Sequence, residues 1–414
     1  MGNIDTPVAG ALEQTPVTPH SSGLRQLIDA IATGAESRDR GERNAADAIA
    51  LVRASKLGLI RLPVSEGGSG ASLTQLFEVV IDLAEADSNI PHILRNHFAF
   101  VERARRAKGS SEKSAGTHFR HWLDLVRDGS LVGSGTSELG NQRIGAGTGA
   151  TRLLRRGDNY VLNGKKYYST GNFYDDFILV NAQTEEEEHV SVFVGRHQAG
   201  VNIIDDWDGI GQRLTASGTS EFNDVEVATG DVFFGKDDDG KPLYSATFPQ
   251  LYLTAIIAGI LRAVVKDAVA LVKRRERNYY HAVAARPGDD PLLQQIIGQI
   301  ASAAYVAESA VLRAADALGA AFQSAIDGKP DDALFLEAAL RAAKTKVTVD
   351  ELAQRAAAQL FDVGGASAVK QSQRLDRHWR NIRTLASHNP TSYKARVIGD
   401  HLINNVTLPQ AAFF

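Results

Sequence analysis

The sequence predicts an α+β protein in which a helical region, a β region and a second helical region follow one another. Three observations predict this order. Apolar residues recur every three or four positions between about residues 23 and 129, and again from about residue 243 onward. Between these segments, short β-rich runs alternate with turn signals. A chain of 414 residues is also longer than one hydrophobic core usually accommodates. We therefore expect two or three domains or one large multilayered unit.

The shifts in composition predict four parts. A flexible N-terminal arm over residues 1–22 is rich in Pro, Thr, Gly and Ser, and does not read as a secretory signal. An N-terminal α-helical domain follows over residues 23–129. A central β domain then covers residues 130–237, and a C-terminal helical bundle domain covers residues 238–414.

The first helical region contains a clear helix start. Ser72 is a good N-cap, and it precedes an apolar stripe formed by Leu76, Val79, Val80 and Leu83. The preceding segment, "LIRLPVSEGGSGA", is rich in Gly and contains Pro. It therefore predicts a loop before the helix.

The β region is predicted from short strand-like runs. "TRLLRRGDNYVLNGKKYYSTG" contains two strand candidates around turn signals at Gly157-Asp158 and Asn163-Gly164. "DDFILVNAQ" and "HVSVFVG" are rich in β-formers and flank the acidic run "TEEEEH". We interpret that run as a solvated hairpin tip. Together these runs predict a β-barrel or sandwich.

The C-terminal region carries longer apolar stripes. We predict helices over Leu251–His281, Pro291–Ile326 and Ala333–Val363, and a final helix after Pro390. Gly364 and the glycine after it are typical of a helix end. Four such helices predict a four-helix bundle.

Composition excludes several classes of function. The formal net charge of −4 gives no cationic field for nucleic acid or an anionic membrane. The absence of Cys excludes disulfides, thiolate nucleophiles and Cys-ligated metals. The most apolar window, Leu251–Val265, contains Arg262 and is too short to span a bilayer. We expect a cytoplasmic protein.

The familiar catalytic motifs are missing. The sequence has no GxGxxG after a strand, no GxxxxGK[ST] and no HExxH. His118 and His121 are three residues apart, but we interpret them as surface residues and predict no metal site. Any chemistry must therefore come from a cofactor held without a glycine motif, or from a distributed site.

Five local patterns, in order along nearly the whole chain, resemble the acyl-CoA dehydrogenase superfamily. They are "LGLIRLPVSEGGSGAS", "DLAEADSNIPHILRNH", "LNGKKYYSTGNFYDDFILVNA", "GIGQRLTASGTSEFNDVEV" and "QLFDVGGASAV". The resemblance implies an acyl-CoA dehydrogenase-like fold with the α, β and α-bundle order predicted above. Fold alone does not establish function.

The segment that supplies the dehydrogenase base in that superfamily differs here. In "SHNPT", Asn389 stands where the resemblance places a catalytic glutamate, and His388 stands one residue earlier. An amide cannot act as a base at neutral pH. The resemblance therefore disfavours acyl-CoA oxidation. An FAD-dependent acyl-CoA dehydrogenase with a displaced base, and a non-catalytic flavin-binding relative, stay open as alternatives.

The C-terminal segment "RNIRTLASHNPTSYK" instead resembles the flavin-dependent monooxygenases of dibenzothiophene desulfurisation and sulfone metabolism. That resemblance implies a two-component enzyme. It would use reduced FMN, with FAD as an alternative, and O2 through a C4a-(hydro)peroxide to oxygenate a small organosulfur or aromatic substrate. A separate NAD(P)H-dependent reductase would supply the reduced flavin, and the long striped helices fit a homotetramer.

The resemblance also implies site residues. The catalytic candidates are His388, His92 and Thr170. The cofactor-binding candidates are Ser134, Thr136, Thr170, Trp207, Ser217, Arg277, Gly364 and Gly365. The substrate-pocket candidates are Asn96, His97 and Asn389.

Each candidate has a structural alternative, such as His388 capping helix carbonyls. Two positions depart from the family, with Asn96 in place of a tyrosine and Ser134 in place of an asparagine. Both departures concern contacts with the substrate more than the class of reaction.

Overall fold

The computed structural model describes residues 16–109, 115–140, 149–234, 243–244 and 246–410, and it has the predicted α–β–α order. The described helices of the N-terminal region are α1 (Ser22–Asp39), α2 (Ala46–Ala54), α3 (Leu73–Asp87), α4 (Asn89–Gly109) and α5 (Ala115–Arg127).

The start of α3 follows from its sequence. The Ser72 hydroxyl accepts a hydrogen bond from Gln75 N at 3.1 Å, and the Gln75 side chain accepts one from Ser72 N at 2.7 Å. This reciprocal capping satisfies two amides that the helix itself cannot pair. The predicted N-cap is confirmed, and the stripe of apolar residues that follows it is buried. Helix α4 begins two residues after α3 ends, which places its first turn in the interior.

The central region is one mixed sheet in the order β6-β7-β3-β2-β4-β5-β8, with β1 pairing in parallel with β4. Its strands are β1 (Val132–Gly135), β2 (Arg152–Arg156), β3 (Asn159–Lys166), β4 (Phe177–Gln183), β5 (His189–Gly195), β6 (Val201–Ile204), β7 (Thr219–Val227) and β8 (Val232–Phe234).

One predicted turn in this sheet is wrong. Gly157 forms the β2–β3 turn as predicted, with φ of 63°. Asn163-Gly164 is not a turn, because β3 runs through it and the register with β7 shifts between Leu162 and Gly164. A Cβ at Gly164 would lie 2.7 Å from Thr151 Cα, so glycine is needed for close approach to the neighbouring backbone. The turn signal therefore marks a bulge.

The C-terminal region contains α6 (Thr247–Arg274), α7 (Pro291–Ile326), α8 (Asp332–Gly364), α9 (Asp376–Ala386) and α10 (Thr391–Asn404). Helix α6 ends seven residues before the predicted His281. After Val272 the sequence offers no apolar residue until Tyr279, so a longer helix would have no face to bury. The described bundle also has five helices rather than four, because α9 packs against α6 and α8 as a separate helix.

The interior is built from aliphatic and aromatic side chains. The largest cluster joins α3 and α4 to α6, α7 and α8. A second cluster joins α4 and α5 to the sheet, with Trp122 stacked on Phe193 at a centroid distance of 4.8 Å. None of the buried apolar side chains in the described ranges carries sulfur. Within those ranges, no helix has the length and apolar character needed to cross a bilayer.

A buried ion pair ties the loop before α3 to α4. Arg61 Nε lies 2.6 Å from Glu102 Oε1, and Arg61 Nη2 lies 3.2 Å from Glu102 Oε2. Arg61 also donates to Ala71 O. Burial alone would raise the pKa of Glu102, but the charges of Arg61 and Arg105 outweigh burial and hold that pKa below its usual value.

Candidate functional site

His388 lies in the short break between α9 and α10. The following residue, Asn389, is buried, and its side-chain amide donates to Gln250 Oε1 of α6. Pro390 prevents α9 from continuing. The turn is thus anchored through Asn389. The His388 residue is exposed to solvent at this turn, although the surrounding protein still disfavours the charged form of its ring.

The protonation of His388 follows from its partner. Arg95 Nη1 of α4 lies 3.3 Å from His388 Nε2. A guanidinium can only donate, so Nε2 accepts and the ring proton is on Nδ1. Burial lowers the pKa of His388 well below its usual value, and the nearby charge of Arg95 lowers it further. His388 is therefore neutral at neutral pH.

His92 is the second imidazole near Arg95, one turn earlier on α4. Its Nδ1 lies 3.1 Å from Gln212 Oε1, while Gln212 Nε2 donates to Ser88 Oγ at 3.0 Å. With the amide in this orientation, His92 Nδ1–H is the donor. Burial and then Arg95 lower the pKa of His92 to about 3, so it is also neutral. Its Nε2 makes no hydrogen bond to any residue that the structure describes.

Thr170 begins a chain of hydroxyls. Thr170 Oγ1 lies 2.7 Å from Ser217 Oγ, which lies 2.7 Å from Thr215 Oγ1. Thr215 donates to Gln212 O at 2.7 Å. A carbonyl can only accept, so each hydroxyl must donate toward Gln212. The chain leaves the Thr170 oxygen as an acceptor for a further N–H or O–H group.

The turn that carries Thr170 is clamped against α4. Asn96 donates from Nδ2 to Thr170 O at 3.0 Å. Gly171 has φ of 88°, and a Cβ there would lie 2.6 Å from Ile93 O. Asn172 accepts from Ser134 N at 3.0 Å and so ties the turn to β1. Asn96, predicted for the substrate pocket, thus positions Thr170 through its backbone.

Ser134 and Thr136 lie at the end of β1. Their hydroxyl oxygens are 3.0 Å apart, with Ser134 half-buried and Thr136 exposed. The bond from Ser134 N to Asn172 joins them to the turn beneath Thr170. These two predicted cofactor contacts and Thr170 are therefore linked through one clamped segment.

Trp207 and Tyr168 form an accessible aromatic wall. Their ring centroids are 6.2 Å apart in an edge-on arrangement, and Tyr168 is 60% exposed. Trp207 Nε1 donates to Gln212 O at 3.1 Å, which fixes the indole above the loop that carries the hydroxyl chain. An exposed aromatic surface beside a buried polar chain is suited to a planar ring with polar edges.

His97 does not join this group. Its Nε2 lies 2.9 Å from Gly58 O, and its Nδ1 accepts from Val132 N at 3.2 Å. The side chain is fully buried, and burial lowers its pKa to about 4. Because both ring nitrogens form hydrogen bonds with the backbone, we assign His97 a structural role rather than a place in the substrate pocket.

The remaining predicted cofactor residues lie elsewhere. Arg277, Gly364 and Gly365 line an open cleft of about 410 Å³ together with Arg274 and Arg275. None of the predicted cofactor residues of the β region lines it. The predicted contacts thus form two groups, one of hydroxyls and aromatic rings and one of arginines.

Several residues of the candidate site, among them Gln212 and Arg95, were not predicted. Gln212 connects His92 to the hydroxyl chain, and its backbone N donates a 2.7 Å hydrogen bond to Asn381 Oδ1 of α9. Arg95 connects α4 to His388. The spacing of Arg95 three residues after His92 could have indicated one shared helix face. Nothing local in the sequence indicates Gln212.

The fold can now be identified. A family model described as "Acyl-CoA dehydrogenase, C-terminal domain" matches residues 251–393. The solved structure of methanesulfinate monooxygenase MsuC from Pseudomonas fluorescens superposes with a TM-score of 0.84, at 24% identity, over 94% of this chain and 98% of that one. The chain therefore has the acyl-CoA dehydrogenase fold, and the predicted fold class is confirmed.

Comparison with curated proteins shows which group within this fold the chain resembles. The chain is 26% identical over 401 residues to the probable FMNH2-dependent monooxygenase SfnC of Pseudomonas putida, covering 94% of this chain and 96% of that protein. It is 26% identical over 397 residues to a dibenzothiophene monooxygenase of Rhodococcus erythropolis, covering 92% of each. The resemblance to acyl-CoA dehydrogenase-fold flavin monooxygenases is confirmed.

Proposed function

We propose that this chain is a flavin-dependent monooxygenase that oxygenates a small organosulfur or aromatic compound. The observation that carries the proposal is the pair of neutral imidazoles, His92 and His388, around Arg95. Asn389 stands where a dehydrogenase would need a carboxylate, and its amide is bound to Gln250. The names of the full-length relatives support the same class.

The residues present fit a reduced flavin. The Thr170 oxygen ends its hydroxyl chain as an acceptor, which suits the N5–H that reduced flavin carries and oxidised flavin lacks. Trp207 and Tyr168 offer an aromatic surface for the ring. The cleft at Arg277 has the charge to attract a phosphate. The name of SfnC supports FMN as the flavin.

When bound, reduced FMN supplies the two electrons and two protons with which one atom of O2 becomes water while the other bonds to the substrate. The protein side chains control where protons are held. His388 can donate from Nδ1, and His92 can accept at Nε2. Both imidazoles are uncharged, so we expect them to act through hydrogen bonds rather than as imidazolium acids.

The reaction consumes reduced flavin, so a second protein must regenerate it. The sequence has no GxGxxG motif with which to bind a nicotinamide dinucleotide. We therefore propose a separate NAD(P)H-dependent flavin reductase as the partner that supplies FMNH2.

Incorporation of labelled oxygen tests the proposal. The purified chain is mixed with a flavin reductase, NADH, FMN and ¹⁸O2, together with dibenzothiophene, indole and organic sulfinates in turn. We expect one ¹⁸O atom in the product of at least one compound, measured by mass spectrometry. Peroxide as the sole product for every compound would count against the monooxygenase. Anaerobic bleaching of bound FAD by an acyl-CoA would support the dehydrogenase alternative.

Thr170→Val tests the acceptor role of the hydroxyl chain. Valine keeps the shape and removes the oxygen, so reduced FMN should bind about 5- to 10-fold more weakly, as expected for one neutral hydrogen bond of about 1 kcal/mol. The dissociation constant is measured anaerobically by fluorescence. Thr170→Ser keeps the hydroxyl and should bind as the parent does. Equal affinity in all three proteins would remove Thr170 from the site.

A further inference from the structure

Arg95 is a charged side chain with no acidic partner among the residues that the structure describes. It lies on α4, mostly enclosed, and it donates from Nη1 to His388. No carboxylate in the described part of the chain lies within ion-pairing distance of its guanidinium, and its Nε has no hydrogen-bond partner there. Burial lowers the pKa of Arg95 to about 10, so it stays charged at neutral pH.

Two arginines that are buried in the described part of the protein are paired with carboxylates. Arg38 contacts Asp87 at 2.8 Å, and Arg61 contacts Glu102 at 2.6 Å. An enclosed charge is costly unless it is paired and hydrogen-bonded. Arg95 differs from these two arginines, which points to an anion from outside the chain as its partner.

A second unused donor lies near Arg95. The Tyr252 side chain is fully buried, and its hydroxyl makes no hydrogen bond to any described residue. The Tyr252 ring lies 6.3 Å from the ring of Phe98, which follows Arg95 by one turn on α4. Burial raises the pKa of Tyr252 well above its usual value, and the charge of Arg95 opposes that rise. The guanidinium can only donate, and the protonated phenol has a hydrogen that it can donate as well as an oxygen that can accept. Buried donors of this kind require an acceptor.

Two lysines near His388 add positive charge to that of Arg95. Lys346 and Lys394 are both buried and both lower the pKa of His388. Asp350, which accepts from Lys346 Nζ at 2.7 Å, is the carboxylate between them. Arg95, Lys346 and Lys394 thus place three positively charged side chains around His388.

We propose that Arg95 and the Tyr252 hydroxyl bind the oxyanion group of the substrate, so that the substrate is a small organic anion such as a sulfinate or carboxylate. Guanidinium and carboxylate-like groups match in planar geometry and charge. This inference rests on the proposed monooxygenase function, and it restricts the substrate class to compounds with a charged end.

Flavin phosphate is the other source of an oxyanion, and the structure favours the substrate. Arg95 bonds directly to His388, the proposed catalytic imidazole. The exposed arginines that could attract a phosphate, Arg274 and Arg277, line a different cleft. The Arg95 side chain is thus placed to orient a reacting molecule.

The test compares Arg95→Met with a matched control, Arg106→Met. Arg106 lies on the same helix, three turns after Arg95, and its guanidinium stacks over Phe322 at 3.9 Å. Methanesulfinate and benzenesulfinate are the anionic probes, and dibenzothiophene and indole are the neutral probes. Binding to the chain is measured by calorimetry, and turnover is measured with reductase and FMN.

We expect the sulfinates to bind the parent protein and Arg106→Met equally. In Arg95→Met, their dissociation constants and KM should rise about 10- to 100-fold, the range for hydrogen bonds to a charged group. The affinity for FMN should not change. Tyr252→Phe should weaken sulfinate binding in the same direction by a smaller factor.

Two results would overturn the inference. The first is a parent protein that binds and oxygenates the neutral probes in preference to the sulfinates, with Arg95→Met unchanged. The second is weaker FMN binding in Arg95→Met with sulfinate binding intact, which would make Arg95 a phosphate ligand. Failure of the monooxygenase proposal is a different result, because sulfinate binding by calorimetry requires no turnover.

Discussion

Replacing His388 by alanine should lower the rate of substrate oxygenation by about 10²- to 10⁴-fold, the usual contribution of a positioned proton donor or acceptor. Two effects combine. The variant loses the Nδ1–H donor, and it removes the acceptor that holds Arg95 at 3.3 Å. Reduced flavin should still bind, because the hydroxyl chain ending at Thr170 lies on another part of the chain. Oxygen consumption should therefore continue with peroxide as the product.

The experiment measures product and peroxide per NADH consumed. His189→Ala is the matched control, since that histidine is exposed at the start of β5. His388→Gln separates the two effects, because its amide oxygen can still accept from Arg95. Recovery in His388→Gln would assign His388 the role of holding Arg95. Full coupling in His388→Ala would show that the imidazole does not take part in oxygen transfer.

The pH dependence supplies a further check on His388. Its pKa is lowered well below the usual histidine value, first by burial and then by Arg95. The imidazole therefore stays neutral as pH rises from 6 to 8, and oxygenation should show no inflection from His388 in that range. Activity should fall only under more acidic conditions, when the ring becomes charged beside Arg95.

Glu102→Gln should lower the free energy of unfolding by about 3–5 kcal/mol, because it leaves the buried Arg61 without its partner charge. Both side chains are more than nine-tenths buried. Arg61 also holds the loop before α3 through Ala71 O, so the loop should loosen as well. Urea unfolding followed by circular dichroism measures the change.

An exposed ion pair is the control. Arg341 Nε and Glu337 Oε1 are 2.6 Å apart on α8, with side chains 38% and 48% exposed. Glu337→Gln should change stability by less than about 1 kcal/mol. Equal effects of the two substitutions would contradict the assignment of Glu102 as a buried structural charge.

The direction in which pH changes the stabilisation by the Arg61–Glu102 pair follows from the pKa of Glu102. The folded pKa of Glu102 is depressed, so the pair stabilises the protein above the unfolded glutamate value of about 4.3. That stabilisation is lost as the pH falls through the lower folded pKa. The difference between parent and Glu102→Gln should therefore shrink in acid and be full at pH 7.

Periodicity and local signals predicted most of the fold. Ser72 begins α3, and the predicted Pro291–Ile326 helix is α7 to the residue. These features depend on neighbours within one or two turns. Asn163-Gly164 was predicted wrongly because its meaning depends on Thr151, which the sheet brings beside it. A turn signal alone does not distinguish a turn from a bulge.

The site was predictable where a local break marks it. Asn389-Pro390 stops a helix, and this local signal predicted that His388 lies in the break between two helices. Gln212 and Arg95 act through partners 120 and 293 residues away. Only the folded chain brings those groups together, so sequence reasoning had no signal for their pairing. His97 shows the reverse, since it lies on the same helix as His92 but both of its ring nitrogens are bonded to the backbone.

The sulfur-free interior has a consequence for durability. Cysteine and methionine are the side chains that peroxide oxidises most readily. This sequence has no Cys, and its one Met is residue 1. Hydrogen peroxide released during turnover would find neither a thiol nor a thioether to oxidise within the packed helices and sheet. The protein should therefore tolerate its own reactive by-product, keeping its unfolding temperature after exposure to peroxide that inactivates sulfur-rich enzymes.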